Sequence, residues 1–201
     1  MYNIYFAGDL FDHKHLTGNL VLAERIKKLS HSRYICSLPQ EWAIVTQGAL
    51  QIRNQDLKAV INADAVIFNF DGVDLDSGTV VEYMIAKMLD IPAVLLRTDC
   101  RNGGYHGDDW NSMVAGFPRS IEIKHPALIM AKEMGLDATH ELIAESVVKG
   151  LDWVMKEPSL FASANAMRQA YHHVISMCGS GLDLLVTPEH INERVARMIA
   201  S

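Results

Sequence analysis

Ala63-Asp64-Ala65-Val66-Ile67-Phe68-Asn69-Phe70-Asp71-Gly72-Val73-Asp74-Leu75-Asp76-Ser77-Gly78-Thr79-Val80-Val81-Glu82 is the stretch from which the fold is read. Ala65 to Phe70 is the strongest strand signal in the chain, a short apolar run of the kind buried on both faces of a sheet. An acidic loop with a glycine near each end follows, Asp71 to Gly78, and then a helix from about Thr79 to Leu89. Working outward, a helical stretch at 53–62 leads into this strand. Before it, residues 33–38 read as a strand closed by Pro39, and residues 18–30 as an amphipathic helix with Leu20, Val21, Ala23, Ile26 and Leu29 along one side. Asn3 to Ala7 is the first strand, ending at Gly8, and the runs 91–97 and 120–124 are the last two. Strands alternating with helices of this length predict an α/β fold: a flavodoxin-like parallel sheet with helices on both faces. Ligands then bind outside the carboxyl ends of the strands.

From about residue 126 the pattern is helical only. Leu142, Ile143, Val147, Leu151 and Val154 mark a helix over 139–156 that Pro158 ends, and a second is expected over 159–177 before Gly179-Ser180-Gly181. Thr187, Pro188 and Glu189 form a helix start. The expected organisation is therefore an α/β catalytic domain over 1–135 and a C-terminal helical extension over 136–201, packed on the sheet domain or on a partner subunit.

Composition narrows the function. The 201 residues suffice for one sizeable core, and 49% of them are hydrophobic against 21% charged. Eighteen Lys and Arg against 24 Asp and Glu leave a net charge of -6, which argues against nucleic acid as a partner. No apolar run approaches the roughly 20 residues of a membrane span. The first 20 residues have no basic region leading an apolar stretch, so no signal peptide is expected. Cys36, Cys100 and Cys178 are far apart and odd in number, which reads as reduced thiols in a cytoplasmic protein. No metal and no cofactor is expected: His13 and His15 have the spacing of a pair on a strand but read as solvated loop residues, and His172-His173 point apart on a helix.

The chemistry lies at the end of the opening stretch. Glu82 falls near the start of its helix, where it can look back into the crevice beside Asp76. Two carboxylates there, one partly desolvated by Val80 and Val81, suit glycosyl transfer, whose oxocarbenium-like transition state needs negative charge close to the anomeric carbon. The plainer alternative is helix capping and complementation of the macrodipole.

Four segments together resemble the nucleoside 2-deoxyribosyltransferase family over roughly residues 3–120. They are Ile4-Tyr5-Phe6-Ala7-Gly8, Arg53-Asn54-Gln55-Asp56-Leu57 followed by Asn62-Ala63-Asp64-Ala65-Val66, Asp76-Ser77-Gly78-Thr79-Val80-Val81-Glu82, and Asn111-Ser112-Met113. The resemblance implies transfer of a 2-deoxyribosyl group between nucleobases, with deoxynucleosides and free nucleobases as partners and a place in nucleoside metabolism such as purine salvage. It implies that Glu82 attacks the anomeric carbon to give a glycosyl-enzyme intermediate. Asp76 then contacts the sugar and steadies the nucleophile, and Tyr5 hydrogen-bonds Glu82. Asp56 recognises and protonates the base, Gly8 and Gly78 line the substrate, and Asn111 reaches in from a neighbouring subunit of a homo-oligomer. Asp9 stands where many members carry a proline or an aromatic residue, and the helical tail is longer than in the short members.

Other readings stay open at this point. The Tyr5 phenol needs a partner, which a backbone carbonyl supplies as well as Glu82. Phe11, Trp42 and Trp110 either stack on a base or serve as core and surface cover. A receiver-type phosphoacceptor domain shares the fold and would use Asp71, Thr98 and Lys124, yet Gly8-Asp9 supplies one acid where such domains need two. An N-glycoside hydrolase would use the same carboxylates with water as acceptor. Hydrolases of 5′-monophosphates need a phosphate cradle, and the acids and histidines of residues 8–15 favour an uncharged 5′-hydroxyl instead.

Overall fold

Five strands pair in parallel in the order β2-β1-β3-β4-β5: β1 (Tyr2–Ala7), β2 (Tyr34–Ser37), β3 (Ala65–Asn69), β4 (Ala93–Arg97) and β5 (Ser120–Lys124). This is the flavodoxin-like order, seen in a computed structural model that describes residues 1–42, 48–104 and 107–200. The helices between and after the strands are α1 (His13–Leu29), α2 (Ala49–Asn62), α3 (Ser77–Met88), α4 (Ala127–Met134), α5 (Leu136–Val154), α6 (Ala164–Cys178), α7 (Leu182–Leu185) and α8 (Pro188–Ala200). No helix among the described residues is long and apolar enough to cross a membrane.

Alternation along the strands divides the interior in two. Tyr5, Ala7, Val66, Phe68, Ala93 and Leu95 join a core with α2, α3 and the helices α6 to α8. Their neighbours Ile4, Phe6, Ala65, Ile67, Val94 and Leu96 join a second core with α1 and α5. α5 presses close at Gly150, where a Cβ would lie 2.9 Å from Ile123 Cδ1 and 3.2 Å from Ile121 Cγ2. Each face is thus closed partly by the C-terminal helices, and both cores are fully buried at the sheet.

Several helices begin elsewhere than the periodicity predicts, α1 and α6 by the most. α1 starts at His13 because the Asp12 carboxylate accepts from the Lys14 and His15 amides at 2.8 and 3.0 Å. His13 and His15 therefore stand on its first turn, not in a loop. α6 starts at Ala164, with Ser163 capping the Ala166 amide, and not at Ser159. Ser159 and Leu160 are held instead by the buried carboxylate of Asp90, which accepts from the Ser159 hydroxyl at 2.7 Å and the Leu160 amide at 2.8 Å and pairs with Arg119. That partner is seventy residues away in sequence, so no local pattern announces it.

Candidate active site

The carboxyl edge of β1 and β3, where α1 and α3 leave on opposite faces, is the topological switch point of the sheet. The loop beyond β3 is fixed before it reaches α3. Asp71 accepts from the Thr98 hydroxyl at 2.6 Å and the Asp99 amide at 2.8 Å. The fully buried Arg97 guanidinium donates to the carbonyls of Phe70 and Gly72 at 2.5 and 2.8 Å. Asp71 is thereby committed to tying two loops together, and Lys124 pairs with Asp109 instead. Neither residue serves as the receiver reading would need.

Asp76 is the N-cap of α3, accepting from the Thr79 amide and hydroxyl, both at 2.7 Å, through the same oxygen. Gly78 leaves room for that carboxylate: a Cβ there would lie 3.2 Å from Asp76 Oδ2. One turn further on, Glu82 turns inward from the sixth residue of α3, and the buried Tyr5 hydroxyl donates to its Oε1 at 2.7 Å. The strand-borne phenol thus finds a carboxylate, not a backbone carbonyl, across 77 residues.

Burial drives the electrostatics. It pushes the Glu82 carboxyl up to about 7; the Tyr5 bond pulls the other way, and the charges of Asp56 and Asp76 add to the rise. Asp56, on α2, is pushed up to about 6 by burial, opposed by a hydrogen bond from the Trp42 indole. Tyr5 is held well above the ordinary phenol range by burial and by the charges of Glu82 and Asp56. Tyr5 and Glu82 therefore sense each other and Asp56, and Glu82 senses Asp76 as well. Two carboxyls that titrate near neutrality, one poised to ionise and one to give up a proton, suit a nucleophile and a general acid.

Gly8 ends β1 with φ +152°, a backbone conformation that favours glycine, and a Cβ there would meet Asn69 Cβ at 3.0 Å and Asn69 O at 3.2 Å. Asn111 is half-buried in a turn, its Oδ1 accepting from the Met113 amide at 2.9 Å, away from the hydrogen bonds of the other four side chains. Phe11 is 80% exposed, and Trp110 packs against the core. Among the described residues no group of three or more His, Cys, Asp or Glu is placed to hold a metal ion.

Three residues named in the sequence take supporting roles that the sequence does not announce. Trp42 lies beside the Tyr5 ring, centroids 6.2 Å apart, and bonds Asp56. Arg53 and Asn54 grip the turn after α6, donating to the carbonyls of Cys178 at 3.1 Å and Ser180 at 2.7 Å, so the extension clamps the helix that carries Asp56. Only the Arg53-Asn54-Gln55-Asp56 run itself hinted at this, as polar residues on an otherwise core-facing helix.

A search of curated protein sequences returns no match. Among solved structures, a conserved protein from Enterococcus faecalis is 22% identical, with a TM-score of 0.55 over 76% of this chain and 98% of that one. A 2-desoxiribosyltransferase from Leishmania mexicana is 18% identical, with a TM-score of 0.49 over 68% of this chain and 98% of that one. A 2-deoxyribosyltransferase from Bacillus psychrosaccharolyticus is 23% identical, with a TM-score of 0.41 over 49% of this chain and 74% of that one. The first of these carries the likeness of fold. The profile of the nucleoside 2-deoxyribosyltransferases matches residues 4–116, a span that runs from Tyr5 through Asp56, Asp76 and Glu82 to Asn111 and exceeds half of the chain, and the protein is an enzyme of that family.

Proposed function

We propose that the enzyme moves a 2-deoxyribosyl group from one nucleobase to another through a covalent intermediate on Glu82. The observation that carries this reading is the 2.7 Å bond from the buried Tyr5 hydroxyl to Glu82 Oε1, which holds one carboxylate oxygen and leaves Oε2 for attack. In the first half-reaction Glu82 forms a bond to C1′ while the bond from C1′ to the base nitrogen breaks. Asp56, protonated in the fraction that its raised pKa maintains, gives its proton to the departing base. In the second half the nitrogen of an incoming base attacks C1′, the ester to Glu82 breaks, and Asp56 takes back the proton. Two inversions retain the configuration at C1′. Asp76 keeps one oxygen outside its capping bonds, which suits a sugar hydroxyl, and Gly8 and Gly78 let Asn69 and the Asp76 carboxylate close in beside the substrate.

A homo-oligomer with shared sites belongs to this reading. Val81, beside Glu82, is 53% exposed and Met113, beside Asn111, is 72% exposed, the kind of apolar surface that a second copy covers. An interface there would also shield the intermediate from water. Mixing inactive Glu82→Ala with inactive Asn111→Ala tests it: hybrids confirmed by native mass spectrometry regain activity if Asn111 acts across the interface and stay inactive if it does not.

The deciding experiment for the reaction is incubation with one deoxynucleoside and a second free base, followed by chromatography. A new nucleoside is the expected product. Free deoxyribose without a new nucleoside would make the enzyme an N-glycoside hydrolase and overturn the transfer.

A further inference from the structure

The same carboxyl edge has a second hollow, on the face away from Glu82. It encloses about 230 Å³ between α1 and α5. Phe6 and Leu96 form its floor at the ends of β1 and β4, and Leu22 and Ile143 its walls, all members of the α1/α5 core or packed against it. Tyr5 and Phe68, which border the acidic crevice, point to the other side of the sheet.

The rim is polar, with Lys14 as its cation and two histidines beside it. Lys14 and His15 come from the first turn of α1 and His140 from α5. The acid on the rim, Asp71, has both carboxylate oxygens turned to the Thr98 hydroxyl and the Thr98 and Asp99 amides. Asn19 donates to the Asp9 carbonyl at 3.0 Å, and Asn69 accepts from the Asp71 amide at 3.2 Å. His15 has Asp12 at 3.2 Å, whereas the Lys14 ammonium and the His140 ring have no hydrogen bond or ion pair among the described residues.

Gly18 adds an independent observation. It lines the cavity from the interior of α1, and a Cβ there would meet nothing within 4 Å. A glycine destabilises a helix interior relative to alanine, so this one costs the fold something and keeps the mouth clear.

We propose that this cavity is a second ligand site, for a small organic anion whose single ring lies on the Phe6–Leu96 floor and whose carboxylate or phosphate ester meets Lys14, His15 and His140. Apolar walls with a few convergent polar groups are the usual make-up of a small-molecule pocket. The volume suits one ring system. The charge at the mouth selects an anion over its neutral isostere, because desolvating Lys14 without a partner is unfavourable. The site does not depend on the glycosyl-transfer reading, since none of its residues belongs to that crevice.

Titration calorimetry on the full-length protein with benzoate, phenyl phosphate, benzamide and inorganic phosphate tests it. One of the two ring anions binds, and whichever is tighter identifies the anionic group the rim takes. The neutral benzamide is weaker by about tenfold or more, the scale of one charge-assisted hydrogen bond. Gly18→Leu places a strong helix former into empty space, so the variant folds and melts no lower than wild type, yet it abolishes binding. Lys14→Ala combined with His140→Ala removes the preference for the anion and spares the weak binding of benzamide. Glu82→Ala leaves all of these affinities unchanged, which separates this site from the proposed catalytic one. No binding of either ring anion at millimolar concentration overturns the proposal, as does undiminished binding by Gly18→Leu. Equal affinity for benzoate and benzamide also overturns it. Inorganic phosphate binding as tightly as phenyl phosphate would reduce the site to an adventitious ion only.

Discussion

The two hollows at the carboxyl edge are opposites built from the same strands. On the α2/α3 face, burial pushes the Asp56 and Glu82 carboxyls up, and the charges of Asp56 and Asp76 add to the rise at Glu82 beside the buried Tyr5 phenol. On the α1/α5 face, Lys14, His15 and His140 ring an apolar cavity. Tyr5 serves the first and Phe6 the second, one residue apart on β1. The difference teaches that strand register alone assigns each chemistry to its side. Because the side-chain period is two, a slip of one residue in β1 would carry the phenol to the α1/α5 hollow and leave Glu82 facing Phe6. The pairing of Tyr5 with Val66 and Phe6 with Ile67 prevents this by burying both faces. Between the hollows, Asp71 shows what becomes of an acid given several local donors: it turns into a structural tie.

The sharpest way to break the comparison is Glu82→Ala. Loss of the nucleophile should lower base exchange by at least about a thousandfold, as removal of a covalent catalyst does in other enzymes. Steady-state exchange assays read this directly, and a wild-type rate would remove Glu82 from the chemistry altogether. The next effect is that of Asp56→Asn. A general acid contributes about a hundredfold or more, so kcat should fall on that scale. The pH profile changes shape as well. In the wild type, carboxyls titrating near 6 and 7 give a bell-shaped kcat/KM, with the two steps belonging to the pair. With Asn at position 56 only the rise that reports ionisation of Glu82 should remain. A bell that survives unchanged would assign the proton transfer to another group.

The sequence was most legible where physics is local. The run Ala65 to Phe70 could be nothing but a buried strand, and the acid–Gly–Glu element after it announced both a helix start and a crevice. Asp56 and Glu82 could be named, but their raised pKa values could not, because burial is a property of the assembled fold. The Tyr5 partner, 77 residues away, was named only through the family resemblance, because the local sequence fits a backbone carbonyl equally well. The start of α1 was hidden because Lys14 and His15 break the apolar period while Asp12 caps the helix through its side chain. The grip of Arg53 and Asn54 on residues 178–180 was hidden because carbonyls carry no sequence signature. The α1/α5 cavity was least legible of all. Its rim comes from two helices more than a hundred residues apart, and Gly18 reads in sequence only as a weak point of α1.

A finer test of the acidic face is Tyr5→Phe. It keeps the ring and deletes the donor, so the loss is of one hydrogen bond to a charged group, about tenfold in kcat/KM. The direction of the pH effect is also fixed. The Tyr5 bond holds the Glu82 pKa down against burial, so without it the ascending limb moves to higher pH. An unshifted limb would mean that the phenol orients Glu82 without stabilising its charge.

The smallest expected effect is on stability, and it asks whether burial strains Glu82 as the comparison requires. The folded protein holds the Glu82 proton to about 7, against 4.5 for an ordinary glutamate. Between those values the folded state binds more proton than the unfolded chain, so stability falls as pH rises through the window, and the loss is complete above about 7. At about 1.4 kcal/mol per pH unit the loss is at most roughly 3 kcal/mol. Glu82→Gln cannot ionise, and its amide oxygen still accepts from Tyr5. The variant should therefore melt higher than the wild type at pH 8 by several degrees, given about 2–4 °C per kcal/mol for a chain of this size. At pH 4.5 the wild-type glutamate is protonated in the fold and the advantage should vanish. Thermal melts of both proteins across that range decide it. Equal melting temperatures at pH 8 would mean that Glu82 is as well solvated as a surface acid, and the contrast between the two faces would then rest on composition alone.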